Sequence, residues 1–138
     1  MPIALIPSLF EAFNDRDEER LRELADPEFV WNAPTAALAG RKGPYTGYAG
    51  LRDYLTDVES LWDEMKATPI QVRMRGDDVF VVGRLYARGM ELGIRDLPVA
   101  WSLTLRERRF VAGQVHEDPR RAALAAGWLR PTGWRTPA

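Results

Sequence analysis

The chain has 138 residues, 46% of them hydrophobic and 28% charged, which suits one folded domain and excludes both a disordered chain and two full domains. Nineteen Lys and Arg against twenty Asp and Glu leave a formal charge of -1, so there is no electrostatic surplus to hold nucleic acid or an anionic membrane. Cys is absent, removing disulfides, thiolate metal ligands and a cysteine nucleophile; the start MPIALIP lacks a basic n-region and no run approaches the roughly 18 apolar residues of a membrane span, so the default expectation is a cytoplasmic protein.

Ile3, Ile6, Leu9, Phe10 and Phe13 recur at helical spacing, with Pro7 tolerable in or near the first turn, and predict a first helix. Asp17 is placed to cap a second short helix with the stripe Leu21, Leu24 and Ala25, ending at Asp26-Pro27. Glu28 to Asn32 reads as a short strand. Residues 33–47, APTAALAGRKGPYTG, hold three Gly and two Pro without periodicity and predict a long loop of the lid or rim kind. From Tyr48 to Lys66, Leu51, Tyr54, Leu55, Val58, Leu61, Trp62 and Met65 keep the i, i+3, i+4, i+7 rule and predict the longest helix.

The period then changes from 3.6 to 2. Ile70, Val72 and Met74 fall on one face and Gln71, Arg73 and Arg75 on the other, in a strand that ends at Gly76-Asp77-Asp78. Val79 to Gly89, Ile94 to Arg106 and Phe110 to Glu117 are three further strands, parted by turn signals at Glu91 to Gly93 and at Glu107-Arg108, and such short connections imply antiparallel neighbours. Asp118 as cap, Pro119 at the first position and Gly127 just past the end bracket a last helix from Arg120 to Ala126. The tail from Arg130 to Ala138 reads as loose. Helices followed by a meander of strands is an α+β order, without the strand-helix alternation of a parallel sheet.

Three segments carry a resemblance: AFNDRDEERLRELADPEFVW after the first helix, GPYTGYAGLRDYL opening the long helix, and VVGRLYARGMELGIRDLPVAWSLTLRERRFV leading to DPRRAALAAGWL. Together they resemble the SnoaL-like branch of the nuclear transport factor 2-like superfamily, from about Ile3 to Leu129, in the right order. The resemblance implies one cone-shaped α+β domain over residues 1–138, with N-terminal helices packed on a strongly curved, mixed and mainly antiparallel sheet around an apolar pocket. It also implies a homodimer, as in many relatives. Those relatives include polyketide cyclases, ketosteroid isomerase, scytalone dehydratase and limonene epoxide hydrolase, beside proteins that only bind, and fold alone does not choose among them.

Ketosteroid isomerase, a worked case of carboxyl tuning, uses an aspartate base with tyrosine and protonated aspartate donors. By the resemblance these positions fall at Asn32, near Leu9 and near Trp101, so none of the three roles is kept; Asn32 still offers an amide hydrogen bond. SnoaL-like cyclases use a histidine and an aspartate on late strands, and Trp101 again falls near the histidine. His116, Glu117 and Asp118 are then the one local acid/base cluster and the catalytic candidates. His116, the sole histidine, is of the one residue type that ordinarily titrates close to neutrality. Simple alternation from the Glu107-Arg108 turn puts it on the face of Gln114 and Trp101, but a single bulge would exchange it for Glu117. Asp118 also reads as the cap of the last helix.

Arg84 and Tyr86 share a strand face; if that face is concave, Arg84 holds a carboxylate or polarises a carbonyl, and otherwise it faces solvent or a second copy. Trp31, Tyr54, Trp62, Trp101 and Gln114 complete the candidate ligand-binding set, the aromatics serving equally well as core. A lone histidine beside two consecutive carboxylates does not converge on a metal, and no phosphate loop, nucleophile elbow or dinucleotide fingerprint occurs, so no cofactor is expected. These residues point to a cofactor-free acid/base enzyme of cyclase, isomerase, dehydratase or epoxide hydrolase type acting on a small hydrophobic molecule. The alternatives are a non-catalytic binder of an apolar metabolite and a dimerising association domain.

Overall fold

The computed structural model describes residues 4–128; Ile3 of the expected first helix and the expected loose tail lie outside the described residues. Helix α1 (Leu5–Asn14) carries Pro7 in its first turn, where an amide would have no intrahelical acceptor, and buries Ile6, Phe10 and Ala12. Its last residue locks it to the sheet: the Asn14 side chain donates to the Ala67 carbonyl and accepts from the Ala67 N–H, both at 2.8 Å. Helix α2 (Glu18–Leu24) starts at Asp17, whose carboxylate accepts from the Arg20 N–H at 3.1 Å.

Strand β1 (Ala25–Asn32) opens three residues earlier than the sequence suggests, because Ala25 already pairs with Phe110. The expected long loop contains two elements, helix α3 (Pro34–Leu38), with Pro34 in its first turn and Thr35 and Ala36 buried, and strand β2 (Tyr45–Thr46), antiparallel to β1. Helix α4 (Gly47–Leu61) stops well short of Lys66. Trp62 is already extended (φ -128, ψ 134) and the Asp63 N–H donates to the Arg88 carbonyl at 2.8 Å. Trp62 and Met65 fit a period of 3.6 and a period of 2 alike, and sheet pairing decides between them.

The meander follows: β3 (Glu64–Arg75), β4 (Asp78–Gly89), β5 (Gly93–Arg106), β6 (Arg109–His116), then helix α5 (Pro119–Ala125). The strands form one mixed sheet in the order β2-β1-β6-β5-β4-β3. All neighbours are antiparallel except β1 and β6, which run parallel.

Bulges in β3 and β6 set which side chains of those strands face inward. In β3 the register slips between Pro69 and Gln71, so Ile70, expected beside Val72 and Met74, is 68% exposed instead. In β6, Phe110 pairs with Leu105 but Ala112 with Thr104, leaving Val111 as the extra residue and reversing the parity of all that follows. The inner face carries Val79 and Val81 of β4, Val99, Trp101, Leu103 and Leu105 of β5, and Phe110, packed with Ile6, Phe10, Ala25 and Phe29. The outer face carries a smaller cluster in which α5 lays Ala122 and Ala123 over Phe80, Val82 and Ala100. Trp128 stacks on Phe80 there, centroids 5.7 Å apart, beneath the Arg75 guanidinium.

Candidate functional site

Between the helices and the inner face of the sheet lies a cavity of about 130 Å³, of the order that holds one aromatic ring in a dry protein interior. Its walls come from every layer: Phe10 and Phe13 of α1, Phe29 and Trp31 of β1, Thr35 and Leu38 of α3, Tyr54 of α4, and Arg95, Leu97, Val99 and Trp101 of β5. Rings dominate and lock one another. Phe10 meets Trp101 edge-on at 4.7 Å, Phe13 stacks on Tyr54 at 5.8 Å, and Trp31 sits between Phe29 (6.1 Å) and Tyr54 (5.7 Å). Gly113 of β6 leaves room for Trp31: a Cβ there would lie 2.5 Å from its six-membered ring.

Polar atoms are few on this wall. The buried Tyr54 phenol is pushed up to about 12, chiefly by desolvation, with the Trp31 indole, the Arg16 charge and Thr35 acting the other way; it remains a neutral hydroxyl at every physiological pH. Trp31 Nε1 is buried and meets no acceptor among the described residues. The charged side chains on the lining are Arg95 and Glu117, both exposed and therefore at its rim, where the Arg95 guanidinium lies 5.7 Å from the Trp62 ring centroid.

Of the residues singled out from sequence, the structure brings Trp31, Tyr54, Trp62, Trp101 and Glu117 together around the cavity. It does not bring the others there. The Val111 bulge turns His116 to the outer face, opposite Ala100, where its Nε2 is hydrogen-bonded to Ser102 Oγ at 2.7 Å and burial lowers its pKa. Gln114 shares that face opposite Ser102 and the exposed Asn32. The Asp118 carboxylate accepts from the Arg121 N–H at 3.0 Å and caps α5. Arg84 and Tyr86 point outward from β4, because the inward positions on that strand are Leu85 and Ala87; Arg84 pairs with Asp96 at 3.0 Å.

Sequence reasoning missed Arg95, Leu97 and Thr35. The signal for the first two was present: Arg95, Leu97, Val99, Trp101 and Leu103 alternate without interruption and all line the cavity. Thr35 was hidden because α3 is too short to show a period. A second unforeseen group lies outside the cavity lining: the buried Asp57 of α4 accepts from the Arg41 guanidinium and from the Tyr45 hydroxyl at 2.7 Å. Arg41 above all, with help from Tyr45, holds the Asp57 carboxyl below its ordinary range, and the pair straps the segment after α3 to α4. Among the described residues no cluster of His, Asp and Glu could hold a metal ion, and no helix is long and apolar enough to cross a membrane.

A mixed, unclosed six-stranded sheet wrapped around an apolar cavity and covered by helices is the architecture of the nuclear transport factor 2-like superfamily. An NTF2-like protein of unknown function from Burkholderia pseudomallei superposes with a TM-score of 0.76 at 19% identity, covering 88% of this chain and 94% of that one. TerC, crystallised with polyporic acid, superposes with the same score at 24% identity over 88% and 94% of the two chains. IdmH of Streptomyces antibioticus, provisionally assigned as a polyketide cyclase, gives 0.70 at 23% identity over 91% and 96%. The chain belongs to the SnoaL-like domain family, whose model matches residues 7–137. No curated protein matches the sequence.

Proposed function

We propose that the chain is a SnoaL-like enzyme that takes a small hydrophobic carbonyl compound or epoxide into this cavity and moves a proton on it by general acid/base catalysis, with Glu117 as proton carrier. The observation that carries the reading is the position of Glu117: among the described residues it is the one carboxylate on a predominantly apolar wall whose other polar side chains include Thr35, Tyr54 and Arg95. A carboxylate at the edge of a dry cavity can accept a proton from an acidic carbon, or from a water attacking an epoxide, and return it to another atom of the same molecule. Arg95, elsewhere on the same rim, supplies positive charge toward any negative charge that develops there. The crystallisation of TerC with polyporic acid and the provisional assignment of IdmH as a polyketide cyclase support reading the cavity as a small-molecule site.

The test is turnover of a panel of cyclic ketones and epoxides by the native chain and by Glu117→Gln and His116→Ala variants. The expected result is a loss of at least about a hundredfold for Glu117→Gln and near-native rates for His116→Ala. Equal loss in both would remove Glu117 from its role. A second reading, a non-catalytic binder, is favoured by the resemblance, in which the acid/base positions of the isomerase and cyclase relatives fall at Asn32, near Leu9 and near Trp101. Tight binding of panel members with no turnover of any of them would select it.

A further inference from the structure

We infer that the indole N–H of Trp31 is the seat of the ligand's oxygen, and that the cavity therefore selects a compound whose buried end is a carbonyl over a hydrocarbon of the same shape. This deepens the ligand-binding reading above and rests on it.

Trp31 Nε1 is a buried donor with no acceptor among the described residues, and buried donors in folded proteins are nearly always paired. The Tyr54 oxygen lies near enough for the indole N–H to lower its pKa by a weak hydrogen-bonding interaction, but the two do not meet in full hydrogen-bond geometry, so a better-aligned acceptor can take the N–H. The ring has little freedom to carry its N–H elsewhere. Its six-membered ring lies over Gly113, where even a Cβ would approach to 2.5 Å, while Phe29 stacks on one side at 6.1 Å and Tyr54 meets it edge-on at 5.7 Å. The donor is thus held in place before any ligand arrives, which is the arrangement that gives specificity at least entropic cost.

The neighbours narrow the chemistry. An indole N–H donates and never accepts, so its complement is an acceptor. The polar groups beside it are the Tyr54 and Thr35 hydroxyls, both neutral and both buried, whereas Arg95 and Glu117 lie at the rim. A neutral carbonyl oxygen satisfies the N–H and brings no unpaired charge into the apolar interior. An alkyl or vinyl group in its place leaves the donor unpaired.

The experiment uses two probes of one shape, acetophenone and α-methylstyrene, which differ by C=O against C=CH2. The tryptophan indole N–H resonances of 15N-labelled protein report the outcome, with the Trp31 signal identified by its loss in Trp31→Phe. Acetophenone should bind about tenfold more tightly, a difference of about 1.4 kcal/mol, and shift the Trp31 proton downfield. That preference should vanish in Trp31→Phe and persist in Tyr54→Phe. The native-protein comparison stands alone if a variant does not fold. Equal affinity for both probes, or a preference lost with Tyr54 and not with Trp31, overturns the inference while leaving the binding cavity intact. If neither probe perturbs a cavity resonance, the binding reading falls as well.

Discussion

Replacing Gly113 by Ala tests whether β6 must be bare where Trp31 crosses it. The added Cβ would lie 2.5 and 2.6 Å from two carbons of the indole and 3.0 Å from Leu103 Cδ2, about 1 Å inside the optimal carbon-carbon separation of roughly 3.5–4.0 Å. The indole cannot step aside cheaply, being held between Phe29 and Tyr54. The backbone cannot yield either, since Gly113 is paired with Trp31 on one side and Leu103 on the other. Overpacking of this kind costs about 1–3 kcal/mol, and the gain of Ala over Gly within a strand returns about 0.5–1 kcal/mol, for a net loss near ~1–2 kcal/mol. With a urea slope of about 1.5 kcal/mol/M, the unfolding midpoint followed by circular dichroism should fall by roughly 1 M. Adding Trp31→Leu should recover part of the loss, with a coupling of about 0.5–3 kcal/mol. An unchanged midpoint for Gly113→Ala, or strict additivity in the double variant, would refute the close approach as the reason for glycine.

Two further outcomes follow from groups outside the cavity. Tyr45→Phe removes a 2.7 Å hydrogen bond to the buried Asp57, a bond to a charged group worth about 1.5–3 kcal/mol; urea unfolding at neutral pH should show that loss, and native stability would mean that Arg41 alone satisfies the carboxylate. His116 has its pKa lowered by burial, so the unfolded chain binds its proton more readily. The stability it contributes is complete above its unfolded value of about 6.5 and is lost as the pH falls through the lower folded value. Between pH 7.5 and pH 5 the midpoint should therefore drop more for the native chain than for His116→Gln, and parallel drops would show that His116 is not the titrating group.

The layer order and most elements were legible in the sequence because they rest on long periodic runs and explicit caps. Asp17, Asp118 and Pro119 cap or open their helices where the residue types say they should, and the strands from β4 onward begin and end within a residue of their expected bounds. What was not legible came from pairing between distant segments. The end of α4 was overrun because Trp62 and Met65 satisfy both periods, and only Arg88 across the sheet decides between them. The choice between His116 and Glu117 hung on one extra residue, Val111, which no local pattern marks, since its neighbours Phe110 and Ala112 are apolar on either register. Trp31, Tyr54 and Trp101 could be named as wall candidates from residue type alone. That the indole of Trp31 would lack an acceptor required knowing what Gly113, Phe29 and Tyr54 do to it together.

The parallel pairing of β1 with β6 also fixes an order of assembly. Val30 meets Ala112 and Trp31 meets Gly113, so a chain emerging from the ribosome presents β1 long before its partner exists. The antiparallel strands from β3 onward can zip through short connections, whereas joining β1 to β6 closes a loop spanning most of the sequence and is the slow, entropically costly event. Until it happens Phe29 and Trp31 have no sheet neighbour on that side, and a nascent chain halted before Arg109 exposes aromatic surface to chaperones and to other copies of itself. The same event carries Glu117 to the rim. A single closing step thus completes the cavity rim and covers Phe29 and Trp31.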